Sequence, residues 1–400
     1  MRPVEIKKDI YWVGAVDWST IDFHGYSLAR KGTTYNAYLV MDEKITLFDT
    51  VKAPFCEYFL ETIAQVADPS RIDYIVANHL EPDHAGSLAR LVDLVKPEKV
   101  IVSPMGRRSL EAHFHPQGWP IEEVKTGSAL SLGRRSVRFI ETRMLHWPDS
   151  MASYIPEDRL LITNDAFGQN LATSERFADE IDRTRLKAAM TAYYGNIVLP
   201  YSSVVQKTLA GLQEMNLDVD MLAPDHGLIF RGEADVRFAI ESYLEFAAQK
   251  PRNKALVVYD TMWRSTEKMA FAVVDGLMDE GVSARAMHLK SFHQSDVMTE
   301  LMYCGALAVG SPTLNNGILP GIAGLLAYMK GLRPQNKVAA AFGSFGWSGE
   351  CVNILKGLLA DMNFELVEPQ VKVKHVPDKD ALAQCLELGR TLGRALKAKL

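Results

Sequence analysis

The chain has 400 residues, 48% hydrophobic and 23% charged, with a formal net charge of −5. That length fits two or three domains, the apolar content excludes a disordered chain, and the acidic balance argues against a dedicated nucleic-acid binder. Cys56, Cys304, Cys351 and Cys385 stand far apart with no CxxC pair, which excludes a zinc ribbon or a cysteine-bound iron within this chain. Polar turn residues interrupt the longest uncharged run, 301–329, and the first eight residues lack the apolar core of a signal peptide. The expectation is a cytoplasmic chain with no membrane span.

In chain order, strands are predicted at 9–16, 35–41 and 44–49. The last two are antiparallel, because Asp42-Glu43 is too short for a crossover. Further strands fall at 73–77, 99–103, 136–141, 159–163 and 220–222, with helices at 54–66, 87–95 and 233–248. A polar seam, Gln249-Lys250-Pro251-Arg252-Asn253-Lys254, then divides the chain into domains 1–250 and 251–400. Beyond it, strands at 255–259, 283–289, 306–310, 337–342 and about 365–373 alternate with helices, the signature of an open parallel sheet. Residues 251–400 carry 17 Lys+Arg and 14 Asp+Glu, a balance of +3, which leaves −8 for residues 1–250. The second half therefore suits an acidic partner.

The strongest chemical signal is His79-Leu80-Glu81-Pro82-Asp83-His84, directly after a strand. Four ligand-capable side chains lie within six residues. Pro82 bars a strand or helix interior, so a loop at a strand end is predicted. His146, Asp165 and His226 each end or follow a strand and can point into the same mouth. Together the seven form a candidate two-metal site.

The order His-x-Glu-x-Asp-His, then His, Asp and His, resembles the metallo-β-lactamase superfamily, with Glu81 where its zinc hydrolases carry a histidine. A carboxylate there shifts preference from zinc towards iron or manganese. With the half that follows, the whole chain resembles the flavodiiron proteins. The resemblance implies an α/β chain: a metallo-β-lactamase-like αββα sandwich, then a flavodoxin-like five-stranded parallel sheet. It implies two irons, one held by His79, Glu81 and His146, the other by Asp83, His84 and His226, with Asp165 bridging. His84 is the position at which the family is least strict. Four imidazoles and three carboxylates carry a charge of about −3, which suits two ferrous ions. His24 and Tyr194 are implied to lie near the metal pocket as hydrogen-bond donors. His113, His115, His288, His293 and His375 read as surface or structural.

After the strand at 255–259, Thr261, Met262, Trp263, Arg264, Ser265 and Thr266 form a hydroxyl-rich turn that opens a helix. Backbone N–H groups and hydroxyls there can cradle a phosphate, and Arg264 can add charge to it. The turn is neither GxGxxG nor a Walker loop. Pro312, Thr313, Leu314 and Asn315 follow the third strand. Ser344, Phe345, Gly346 and Trp347 follow the fourth, and Trp347 can stack on a planar ring. All three loops resemble the FMN site of flavodoxins.

The favoured reading is a reductase. Electrons from a separate small carrier, with rubredoxin the expected donor, pass through FMN to a diiron centre that reduces O2 to water or NO to N2O. The family resemblance also implies a head-to-tail homodimer or a tetramer of such dimers. The alternative is a metallo-β-lactamase-superfamily hydrolase with an attached flavodoxin. An FMN carrier with a vestigial metal domain is set aside, because all the candidate ligands are present.

Overall fold

A computed structural model describes residues 2–400. The chain divides into two compact units. One holds residues up to Gly25 with Ala29–Tyr194 and Tyr201–Ala247; the other holds Tyr26–Leu28, Gly195–Pro200 and Ala248–Leu400.

The first unit contains two sheets. The seven-stranded one runs Val4–Lys7, Ile10–Trp12, Tyr38–Val40, Thr46–Phe48, Tyr74–Val76, Lys99–Val102, Ile121–Glu123; its first four strands are antiparallel and the rest join in parallel. The six-stranded one runs Ala129–Ser131, Ser136–Glu141, Met151–Ile155, Leu160–Asn164, Met221–Pro224, Phe230–Arg231. Strand alternation builds the layers. Tyr38, Val40, Phe48, Val76 and Ile101 face Val137, Phe139, Met151, Leu160 and Ile162 of the other sheet. Leu39, Leu47, Ile75 and Val100, one residue out of phase, pack instead on Phe59, Ile63, Leu88 and Leu91 of the covering helices. Each such side chain contributes about 1.5–3 kcal/mol on burial. Both faces are covered, so these strands read as unbroken apolar runs rather than as alternation.

The strand expected over 9–16 is two strands, Ile10–Trp12 and Ala15–Asp17, and the second pairs with Thr33–Tyr35 in a separate ribbon. Gly14 sits at the break, where a Cβ would stand 2.2 Å from the Tyr35 carbonyl. The strand Met151–Ile155 escapes the sequence reading, because its Met-Ala-Ser start has little strand character.

In the main sheet of the second unit all strands are parallel, in the order Ser283–His288, Lys254–Tyr259, Ala306–Gly310, Val338–Phe345, then Glu365–Leu366 and Val371–Lys374 on the same edge; Thr313–Leu314 and Gly317–Ile318 form a separate antiparallel pair. This is the doubly wound 2-1-3-4-5 arrangement, with its switch point between the first and third strands. The strand expected over 365–373 is broken at Pro369, which has no N–H for the ladder. Helices Ser265–Asp279 and Lys379–Lys397 approach closely because Gly276 and Gly389 lack side chains. A Cβ on either would lie 1.9 Å and 2.1 Å, respectively, from a carbonyl of the facing helix. No helix among the described residues is long and apolar enough to cross a membrane.

Candidate functional site

The expected loop after Tyr74–Val76 is in part a one-turn helix, Pro82–Ala85. Proline is excluded from a helix interior but suits its first position, where its missing N–H and fixed φ do no harm. His79 and Glu81 sit on the extended segment before it, two residues apart and so on one side, with His79 Nε2 3.2 Å from Glu81 Oε2. Asp83 and His84 ride on the turn. Asn164 takes a left-handed conformation (φ 55°) at the end of its strand, which an asparagine tolerates, and Asp165 follows directly.

The structure brings all seven predicted side chains together in two groups, His79, Glu81, His146 and Asp165, and Asp83, His84 and His226. Asp165 lies between them. Its Oδ2 is 3.4 Å from His79 Nε2 and 3.0 Å from His146 Nε2, while its Oδ1 is 3.2 Å from His84 Nε2 and 3.4 Å from His226 Nε2. Both oxygens are buried without a hydrogen-bond partner, as are His84 Nε2 and Asp83 Oδ1. Converging buried donors left unsatisfied fit a pair of cations.

Electrostatics agree. Burial alone would raise the Asp165 carboxyl, yet His84 and His146 hold it well below the usual carboxylate range. Burial would likewise raise Glu81, which His24 and His79 pull well down. Burial disfavours a charged His84, but Asp83 and Asp165 hold its pKa up at about 10. The carboxylates demand positive charge at this spot, whether from protons or metals.

Several further groups surround the cluster. Asp149 Oδ2 accepts from His79 Nδ1 at 3.3 Å and from the Leu80 N–H at 2.8 Å. The Thr34 carbonyl accepts from His226 Nδ1 at 2.6 Å. Both bonds turn an Nε2 towards the cluster. Trp147 packs edge-on against His79 and Phe23 against His226. Lys52 lies over the rings of Phe23 and Tyr35. Trp147 follows His146 directly and Phe23 precedes His24, whereas Thr34 and Lys52 are joined to the site only by folding.

His24 lies at the pocket, with Nε2 3.3 Å from Glu81 Oε1. Tyr194 does not. Its hydroxyl pairs with Ser202 Oγ at 3.1 Å and its ring packs on Tyr243 and Phe246. Tyr193 is the tyrosine beside the cluster, with its ring 5.8 Å from that of His226. Successive residues of a helix point about 100° apart, so adjacent tyrosines face different layers.

In the second unit, a cleft of about 390 Å³ opens at the carboxyl ends of the strands. Of the predicted residues, Thr261, Met262, Trp263 and Ser265 line it, as do Pro312, Thr313 and Asn315, and Ser344, Phe345, Gly346 and Trp347. The helix Ser265–Asp279 starts there with no side-chain cap, which leaves its first N–H groups for an anion. Trp263 and Trp347 are each 89% exposed at the rim. The cleft therefore offers an anion cradle, hydroxyls and aromatic faces, a set that fits FMN.

Three predicted residues do not line it. Arg264 donates to Glu267 three residues on, at 2.6 Å, so its charge is already matched. Thr266 is fully buried and its hydroxyl meets Ser344 Oγ at 3.0 Å, tying two of the loops together. Leu314 follows Thr313 on a short strand, where alternation turns it the other way. Asn316, Ser348, His375 and Val376 line the cleft unforeseen; His375 arrives at the end of Val371–Lys374, a strand whose limits the sequence blurred.

Residues 33–227 match the family described as ODP family beta lactamase, and residues 257–389 match the flavodoxin family. The chain is 51% identical over its full length to the full-length rubredoxin-oxygen oxidoreductase of Megalodesulfovibrio gigas. It is 44% identical to a nitric oxide reductase of Moorella thermoacetica, over 98% of each chain. The crystal structure of the flavodiiron protein from Giardia intestinalis superposes with a TM-score of 0.95 at 33% identity, over 100% of this chain and 98% of that one. The first two are named as an oxidoreductase and a reductase, which sets the hydrolase alternative aside. The chain belongs to the flavodiiron protein family.

Proposed function

We propose that this chain is an oxidoreductase that takes electrons from a small external carrier and reduces O2 to water, NO to N2O, or both. When bound, FMN and two irons supply the electron relay and the site at which the diatomic is reduced. Asp165 carries the reading, with one oxygen facing His79 and His146 and the other facing His84 and His226. His79, Glu81 and His146 would hold one iron, Asp83, His84 and His226 the other, and Asp165 would span both. Glu81 in place of a histidine favours iron over zinc. His24 reaches Glu81 and is placed to hold a proton at the mouth of the pocket. The cleft residues of the second unit would hold FMN, with its phosphate at the uncapped start of Ser265–Asp279.

The finer assignments have the same standing. The domains are taken as 1–250 for the metals and 251–400 for FMN, the chain as cytoplasmic, and the donor as rubredoxin. The metals and FMN belong to separate units, so we assign transfer to a head-to-tail homodimer, in which FMN of one chain serves the irons of the other. A tetramer would be a pair of such dimers. The test is iron, zinc and flavin analysis of purified protein, with O2 and NO consumption measured under reduced rubredoxin. Two irons, one FMN and turnover of either gas are expected. Stoichiometric zinc with no turnover would refute the reading.

A further inference from the structure

A fully buried carboxylate lies behind one of the cluster histidines with no partner of its own. Asp225 is 0% exposed, and neither of its carboxylate oxygens makes a hydrogen bond. Isolating a buried charge in this way is costly unless something pairs with it. Asp49, equally deep, is by contrast satisfied twice by Asn78, through its backbone N–H at 2.7 Å and its side-chain amide at 2.6 Å. The backbone of Asp225 is fixed on both sides. Its N–H donates to Asn164 and its carbonyl accepts from the Asn36 N–H, at 2.9 and 2.8 Å.

The group facing it is His84. Nδ1 of His84 stands 3.8 Å from Asp225 Oδ2, and neither ring nitrogen of His84 makes a hydrogen bond. The His84 carbonyl is pinned by the N–H of Thr50 at 3.0 Å and by its hydroxyl at 2.5 Å, so the remaining freedom is rotation of the ring. His79 and His226 already have acceptors behind Nδ1, namely Asp149 and the Thr34 carbonyl. A metal-binding imidazole keeps its orientation and tautomer through such an acceptor. For His84, the buried acceptor at hand is Asp225.

We infer that Asp225 is the positioning residue of His84. Its carboxylate takes the Nδ1–H of His84 and so holds Nε2 towards the position shared with Asp83 and His226. This rests on the two-metal reading. It makes His84 the ligand whose hold depends on a single buried contact that is still open at 3.8 Å.

The test uses iron-loaded protein carrying Asp225→Ala or Asp225→Asn, dialysed against graded ferrous chelator, with iron and FMN counted per chain. In the alanine variant, one of the two irons should leave at about 10–100-fold lower chelator, while the second iron and FMN stay. Asparagine keeps an acceptor oxygen and the same volume, so it should retain both irons within about threefold and it guards against a folding failure of the alanine variant. In a His84→Ala background, either substitution should change iron retention by less than about twofold, because the partner is gone. The inference is overturned if Asp225→Ala holds both irons like the unmutated chain, if both irons leave together, or if the His84→Ala background shows the full further loss. Unmutated protein that never holds two irons refutes the two-metal reading and this inference with it.

Discussion

Lys337 directly precedes the strand Val338–Phe345, whose far end holds Ser344 and leads into the loop of Trp347. It is 4% exposed, and its Nζ donates to the Cys304 carbonyl at 2.5 Å. Burial, opposed by Cys304 and helped by nearby Arg252, lowers its pKa from 10.5 to about 8. Below pH 8 both folded and unfolded chains are protonated here, and the fold bears the whole cost of a buried ammonium. Between about 8 and 10.5 the folded lysine is neutral while the unfolded one still holds its proton. The unfolded state then binds more protons, so stability rises with pH across that window. A fall from 10.5 to about 8 corresponds to about 3 kcal/mol. Lys337→Met removes that cost but leaves the Cys304 carbonyl without its donor, a loss of about 1 kcal/mol. The variant should therefore be more stable at pH 7 by about 1–2 kcal/mol, and its advantage should vanish by pH 10.5. Urea unfolding of both proteins at steps from pH 7 to 10.5, followed by flavin fluorescence and circular dichroism, measures the difference directly. A methionine variant less stable at pH 7, or a difference that stays constant over the window, would refute the reasoning.

Asp165→Ala should lose iron and most reductase activity while retaining FMN, read by metal analysis and the flavin spectrum; full activity would show that Asp165 spans nothing. Ser265→Glu sets a carboxylate at the uncapped helix start and should weaken FMN binding by about 100-fold or more with iron content unchanged, measured by flavin titration. The +3 balance of residues 251–400 predicts that reduction by an acidic rubredoxin slows as salt rises, and a rate flat from low to high ionic strength would remove the electrostatic argument. Refolding a mixture of Asp83→Ala and Ser265→Glu chains should restore activity through mixed dimers; none, although mixed dimers form and unmutated protein refolds, would place transfer within one chain.

Much of the metal centre was legible because chemistry and sequence coincide there. Four donors fall within six residues after an apolar strand, and the other three each follow a strand, Asp165 and His226 at its end and His146 in the loop beyond, where β topology gathers loops on one edge. The alternation of strand and helix after residue 250 also determined the parallel sheet. The remaining features depended on contacts between distant residues, which spacing cannot encode. Helix rotation, and not residue type, put Tyr193 beside the cluster and turned Tyr194 to the outer layer. A local pairing with Glu267 occupied Arg264. His375, an unremarkable residue in the sequence, reached the cleft on the last strand. Asp149 and Asp225 lie 70 and 141 positions from the histidines they back. Only the packing of two sheets face to face could bring those carboxylates out of water and set them behind the rings.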